Sequence, residues 1–246
     1  MYKRQVQAIA AMAYGTETIP QVYKIFGPGN QYVTCAKQLI NKEGVAIDMP
    51  AGPSEVAVLA DDSCVPSFVA ADLLSQAEHG SDSQVILVSN SQNVIDAVNS
   101  EITIQLKSLS RNTIAEAALQ NSKAILVNTL DEGMDLLNEY AAEHLILACK
   151  NDEELASKVI NAGSVFLGNY SCESAGDYAS GTNHTLQTNG YAKAYSGVSL
   201  DSFVKKITFQ KLNKEGINTI GRTIELMAEA EGLDAHKNAV SVRLKY

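Results

Sequence analysis

Apolar residues along the chain fall into short, nearly unbroken runs separated by stretches of helical periodicity. The runs at 22–26, 45–48, 56–60, 85–89, 124–128, 144–149 and 165–168 do not alternate with polar positions. That pattern predicts parallel strands covered on both faces. Helices are expected at 6–14, 32–42, 68–78, 94–106, 132–140 and 153–161, the first stopping at Gly15, where a left-handed cap strains glycine least. Repeated strand–helix units of this kind predict an α/β fold of open, doubly wound parallel sheets. From 171 to 208 the pattern weakens and Gly, Ser, Thr, Asn and Tyr dominate. A polar segment that long in a folded protein is functional or disordered. A helix is expected again at about 213–231, followed by a short basic stretch at 235–245. This tail is too small to bury the apolar face formed by Ile217, Ile220, Ile224 and Met227, so it is expected to pack on another lobe or another subunit.

Charge narrows the partners. The 246 residues carry 19 Lys+Arg against 28 Asp+Glu, a formal net charge of −9, with no basic stripe or polybasic run. The expectation is therefore no nucleic acid and no anionic membrane surface. No apolar run approaches the roughly 20 residues of a membrane span, and a soluble, cytoplasmic protein is expected. Cys35, Cys64, Cys149 and Cys172 lie far apart without a C-x-x-C pair, which fits reduced thiols.

Several segments carry chemically capable side chains. Gln76 and His79 lie three apart at the end of a predicted helix, on one face, where they can converge on one ligand; an exposed helix end would look the same. Glu143 and His144 stand where a helix gives way to a strand and can supply a proton acceptor beside an imidazole, or be a surface acid next to a half-buried histidine. Asp177 and Tyr178 lie in the Gly- and Ser-rich segment after the strand at 165–168. A loop beyond a strand end is where open α/β sheets place ligands, although aspartate there also forms turns. His184 and His236 are further metal candidates or plain polar residues. One Gln, two His and one Asp could form a zinc site, glutamine being an unusual member. Gly27-Pro28-Gly29-Asn30 ends one predicted strand and opens a helix, which suits a diphosphate at a helix N-terminus or a plain tight turn. A-G-P-S-E at 51–55 echoes it.

Taken in order, the strings I-F-G-P-G-N-Q-Y-V-T, A-I-D-M-P-A-G-P-S-E-V, D-L-L-S-Q-A-E-H-G, E-H-L-I, G-S-V-F-L-G, E-S-A-G-D-Y-A-S-G-T-N-H and A-H-K-N-A-V resemble the histidinol dehydrogenase family, specifically its C-terminal portion. The resemblance implies Rossmann-like lobes: residues 1–53 as the remnant of a nucleotide lobe, 54–196 as a substrate and zinc lobe, and 197–246 as a tail that reaches the partner subunit of a homodimer. It implies an NAD-dependent, zinc-requiring oxidation of L-histidinol through the aldehyde to L-histidine. One zinc per site would be held by Gln76, His79, Asp177 and His236. Glu143 and His144 match the catalytic pair, His144 taking protons in both oxidations and Glu143 activating water. Ser54, Tyr178 and Glu231 match substrate contacts, with His144 and the four zinc ligands also facing substrate. Gln7 and Asn30 match NAD contacts. His184 matches a motif position with no assigned role. The resemblance also raises the alternative of a truncated, catalytically silent chain that binds zinc and histidinol.

Overall fold

The computed structural model describes residues 5–245, in two units that meet in the chain at Phe203 and Val204. In the first, a small α/β part precedes a five-stranded one. Helices α1 (Gln5–Tyr14) and α2 (Gln31–Lys42) pack on the parallel pair β1 (Lys24–Ile25) and β2 (Ala46–Ile47). Ile9, Ala13, Ile25, Val33, Ala36, Ile40 and Val45 form its core. Asn30 caps α2 by accepting the N–H groups of Tyr32 and Val33. Both strands are shorter than the apolar runs suggest. The Gly27 N–H is taken at 2.8 Å by the Asp48 carboxylate, so the ladder ends there.

The larger sheet contains β3 (Glu55–Ala60), β4 (Gln84–Ser89), β5 (Lys123–Leu126), β6 (His144–Ala148) and β7 (Ser164–Leu167), all parallel, in the order β5-β4-β3-β6-β7. Pleating sends alternate side chains to opposite faces. Val56, Val58 and Ala60 face α3 (Pro66–Ala77), α4 (Gln92–Leu106) and α5 (Asn112–Gln120). Ala57 and Leu59 face α6 (Leu130–Tyr140) and α7 (Asp152–Ala156). The expected α/β class and parallel, doubly covered sheet are what the chain adopts.

Local expectations needed three corrections. α5 is an additional helix between the expected ones; its buried face is only Ala115 and Ala118, too small to register as an apolar stripe. α7 stops at Ala156 because the Asn138 side chain accepts the N–H groups of Ile160 and Asn161, drawing that backbone out of helical bonding. The segment at 171–208 contains the short helix α8 (Glu173–Tyr178) and two 3-10 turns. Asp177 and Tyr178 are thus helical, not loop, residues.

The second unit is a helical hairpin of α9 (Lys214–Ala230) and α10 (Asp234–Leu244). α10 replaces what reads as a plain basic stretch. A Cβ on Gly221 would lie 2.7 Å from Leu244, so glycine permits the close crossing. Ile217 and Ile224 become half-buried, while Ile220 and Met227 stay 42% and 61% exposed. Among the described residues, no helix is long and apolar enough to cross a membrane.

Candidate active site

The first unit's large cavity, about 670 Å³, opens at the amino ends of β3, β4 and β6. Open α/β sheets ordinarily bind ligands at the carboxyl ends, beside the point where strand order reverses, here between β3 and β6. At that edge the loops bond to one another. Asp61 accepts the N–H groups of Lys150 (3.0 Å) and Ser63 (2.9 Å), while Asn169 joins the backbone of Val65 and Ser63. The residues matched to a site line a cavity at the opposite edge.

Four segments converge on the cavity. Ser54 precedes β3, Glu143 and His144 open β6, and the end of α3 presents Gln76 with His79 just beyond it. α8 brings Asp177 and Tyr178. Its Gly176 is pressed against Phe166 and Thr182, since a Cβ there would lie 2.6 Å and 2.7 Å from them; a larger residue would push the helix away. Asn30, Gln5, His184 and Thr188 complete the rim. Gln7 is exposed on α1 and lies outside the lining, whereas Gln5 is within it and 3.5 Å from Asn30. Glu231 and His236 are exposed residues of the second unit. Gln76 and His79 divide: the first is 1% exposed, the second exposed at the rim. Glu143 and His144, at 9% and 2%, are not the surface pair that their sequence context also permits.

The backbone of Glu55 holds both. Its N–H donates to Glu143 Oε2 at 3.0 Å, and its carbonyl lies 3.3 Å from His144 Nδ1. Nδ1 thus lies among two acceptors, the Glu55 carbonyl and Glu143 Oε2 at 3.8 Å, and one donor, the Gln76 amide nitrogen at 3.4 Å. The other ring nitrogen is Nε2. It lies 3.6 Å from Asp177 Oδ1 and has no hydrogen-bond partner. Burial holds the His144 pKa below its ordinary value, with Asp177 and the Glu55 carbonyl opposing the shift, which keeps the ring neutral and able to accept a proton.

Carboxyls crowd this end of the sheet. Burial raises Glu143 to about 8, against the lowering effect of the Glu55 N–H, and Glu55, Asp177 and Glu173 add repulsion. Burial likewise raises Glu55 and Glu173 to about 7. Among the described residues lining the cavity there is neither lysine nor arginine. Buried Gln76 Oε1 and Asp177 Oδ1 have no hydrogen-bond donor, although His184 Nδ1 lies 3.0 Å from the latter. Ligand atoms of His144, Glu173 and Asp177 lie within 4.8 Å of one another. Clustered carboxyls, unpaired oxygens and imidazole nitrogens suit a borderline divalent cation such as zinc. Sequence reasoning assigned no role to Glu55, Glu173 or Gln5. A glutamate opening a strand or a short helix ordinarily points to water, and only the tertiary fold buries these two.

The family model for histidinol dehydrogenase matches residues 5–244. Histidinol dehydrogenases of Bacteroides fragilis and Bacteroides thetaiotaomicron are each 66% identical, over 98% and 97% of this chain respectively. The crystal structure of histidinol dehydrogenase from Elizabethkingia anophelis superposes with a TM-score of 0.94 at 63% identity, over 97% of this chain and 55% of that one. The chain spans 56% of the length of the Bacteroides relatives. With the match running through nearly every described residue, the chain belongs to the histidinol dehydrogenase family.

Proposed function

We propose that the chain carries the substrate, metal and proton-transfer groups for the NAD-dependent, zinc-requiring, four-electron oxidation of L-histidinol through the aldehyde to L-histidine. The observation that supports this most is the neutral, buried His144 with an unpartnered Nε2 facing the cavity beside Asp177. Gln76, His79 and Asp177 would hold zinc, with His236 as a further ligand. When bound, zinc supplies a Lewis-acidic anchor for substrate nitrogens and NAD supplies the hydride acceptor for each oxidation.

In the first oxidation His144 Nε2 takes the hydroxyl proton as hydride leaves the carbinol carbon. Its Nδ1 stays between the Glu55 carbonyl and the Gln76 amide, so the ring keeps its orientation throughout. Glu143 then removes a proton from the water that adds to the aldehyde, while His144 gives its proton to the aldehyde oxygen, which completes the gem-diol and returns the ring to its neutral form. A carboxylate whose pKa is raised by burial is a stronger base once ionised than one in water. In the second oxidation His144 takes the proton of the resulting gem-diol as the second hydride leaves. Ser54 and Tyr178 contact the substrate, Glu231 contributes another contact, and Gln7 and Asn30 contact NAD.

Residues 1–53 serve as part of a nucleotide lobe and 54–196 as the substrate and zinc lobe. In a cytoplasmic homodimer, 197–246 reaches the partner subunit, so that Glu231 and His236 complete the partner's site. The exposure of Ile220 and Met227 on α9 supports such a role.

With zinc, NAD and histidinol, the expected product ratio is two NADH per histidine. His144→Asn should lower kcat by about 10²–10⁴-fold, and Glu143→Gln should slow aldehyde oxidation more than alcohol oxidation. Unchanged turnover in the double variant would remove these roles. The two-residue strands beneath Asn30 favour one second reading, a chain that binds zinc and histidinol without hydride transfer. Calorimetric binding of both with no NADH formation would select it.

A further inference from the structure

Glu173 takes no part in the proton transfers above, yet it is only 2% exposed. It opens α8, and Asp177 follows four residues later on the same helical face. On the facing helix, α3, Ser75 and Gln76 are consecutive. The Ser75 hydroxyl lies 2.7 Å from both Glu173 Oε2 and the Asp72 carbonyl, and Gln76 acts on the same carboxyl, so side-chain contacts join the two helices beside Gln76 on one side and Asp177 on the other. The carboxyl sits in the same cluster as Asp177 and His144, all ligand atoms within 4.8 Å, with the unpartnered Gln76 Oε1 close by in sequence and in the cavity.

We propose that Glu173 is a positioning residue: its buried carboxyl, fixed by Ser75, ties α8 to α3 and holds Asp177 opposite Gln76 at the spacing a divalent cation needs. This rests on the reading of the cavity as a metal-dependent dehydrogenase site. Groups that orient metal ligands from behind characteristically change metal affinity about 10–100-fold when removed. Ser75 tests the idea cleanly, because it has no role of its own in binding cation or substrate.

Zinc affinity is measured on the full chain by competition with a chelating dye, and cobalt(II) spectra report ligand geometry. Ser75→Ala and Glu173→Ala should each weaken zinc by about 10–100-fold and perturb the cobalt bands. Glu173→Ala removes the Ser75 bond together with the contacts to Gln76 and Asp177, so the double variant should be no worse than Glu173→Ala alone. Glu173→Gln keeps an oxygen acceptor for Ser75 and should recover most of the affinity. Asp177→Asn is the control for the site itself. If it leaves zinc binding intact, the metal reading of the cavity fails and the proposal fails with it. If it abolishes binding while Ser75→Ala and Glu173→Ala bind zinc as the parent does, only the positioning role is overturned. If Glu173→Gln loses zinc as completely as Asp177→Asn while Ser75→Ala is unaffected, Glu173 is a ligand and the positioning role is overturned. Should Glu173→Ala fail to fold by circular dichroism, Ser75→Ala and Glu173→Gln still decide.

Discussion

Gly163 lies directly behind the Glu143–His144 pair and has no room for a side chain. Its N–H donates to the Ala142 carbonyl at 2.9 Å, and the next N–H, of Ser164, donates to the Glu143 carbonyl at 2.9 Å. A Cβ at 163 would run into that same Glu143 carbonyl oxygen and crowd Leu186. The clashing atom is backbone, held in the β6–β7 ladder, so it cannot turn aside as a side-chain end could. Gly163→Ala is expected to cost about 1–3 kcal/mol in urea unfolding, as overpacking does. Because relief must come from moving Glu143, the variant should lose histidinol turnover beyond what its lowered stability explains. A variant as stable as the parent would show that β6 and β7 can separate at this point.

At the scale of elements, the turn carrying Asn30 is organised by a buried ion pair. Lys37 on α2 and Asp48 after β2 are in contact, with side chains 3% and 1% exposed. Lys37 also donates to the Gly27 carbonyl at 2.9 Å, and Asp48 accepts the N–H groups of Gly27 (2.8 Å) and Met49 (2.7 Å). Lys37→Met would leave a buried carboxylate without its cation, at a cost of about 3–5 kcal/mol, measurable by chemical denaturation. Asp48→Asn should cost less than Lys37→Met if the unpaired charge, not the lost hydrogen bonds, dominates. Nothing in the sequence marks this pair, since a lysine in a helix and an aspartate after a strand are ordinarily solvated. The central strands were legible for the opposite reason: β3, β4 and β6 are buried on both faces, so their composition alone betrays them. α10, with no buried residue in the hairpin, has no periodicity to read. The motif residues could be matched to a site, but its location at the amino edge could not. That depends on Asp61 closing the opposite edge, a contact between segments 89 residues apart.

For the whole molecule, the acidic cavity carries a consequence for stability. Glu55, Glu143 and Glu173 have ordinary values of 4.5, and burial raises them in the fold to about 7, 8 and 7. Asp72 on α3 is raised the same way, from 3.8 to about 7. The folded chain therefore binds these protons more tightly than the unfolded chain, and stability must fall as pH rises from about 4.5 through 8, levelling above that. His144 acts in the opposite sense. Its folded pKa is depressed below 6.5, so acidification below that value charges the unfolded chain first and removes stability. Above pH 6.5 the carboxyls act without this opposition. Unfolding of the metal-free protein by urea should thus show a midpoint that declines between pH 6.5 and 8. The loss should amount to a few kcal/mol, since each proton contributes about 1.4 kcal/mol per pH unit and the neighbouring carboxyls titrate together. Glu55→Gln, which removes one of these acids while keeping an acceptor for the Asn189 N–H, should shallow the decline. Saturating zinc should flatten it further, because a cation beside Asp177 stabilises the ionised carboxylates that otherwise repel one another. A metal-free midpoint that stayed level or rose across this window would mean that the fold opens to water around these acids, and that their protons are not held as their burial describes.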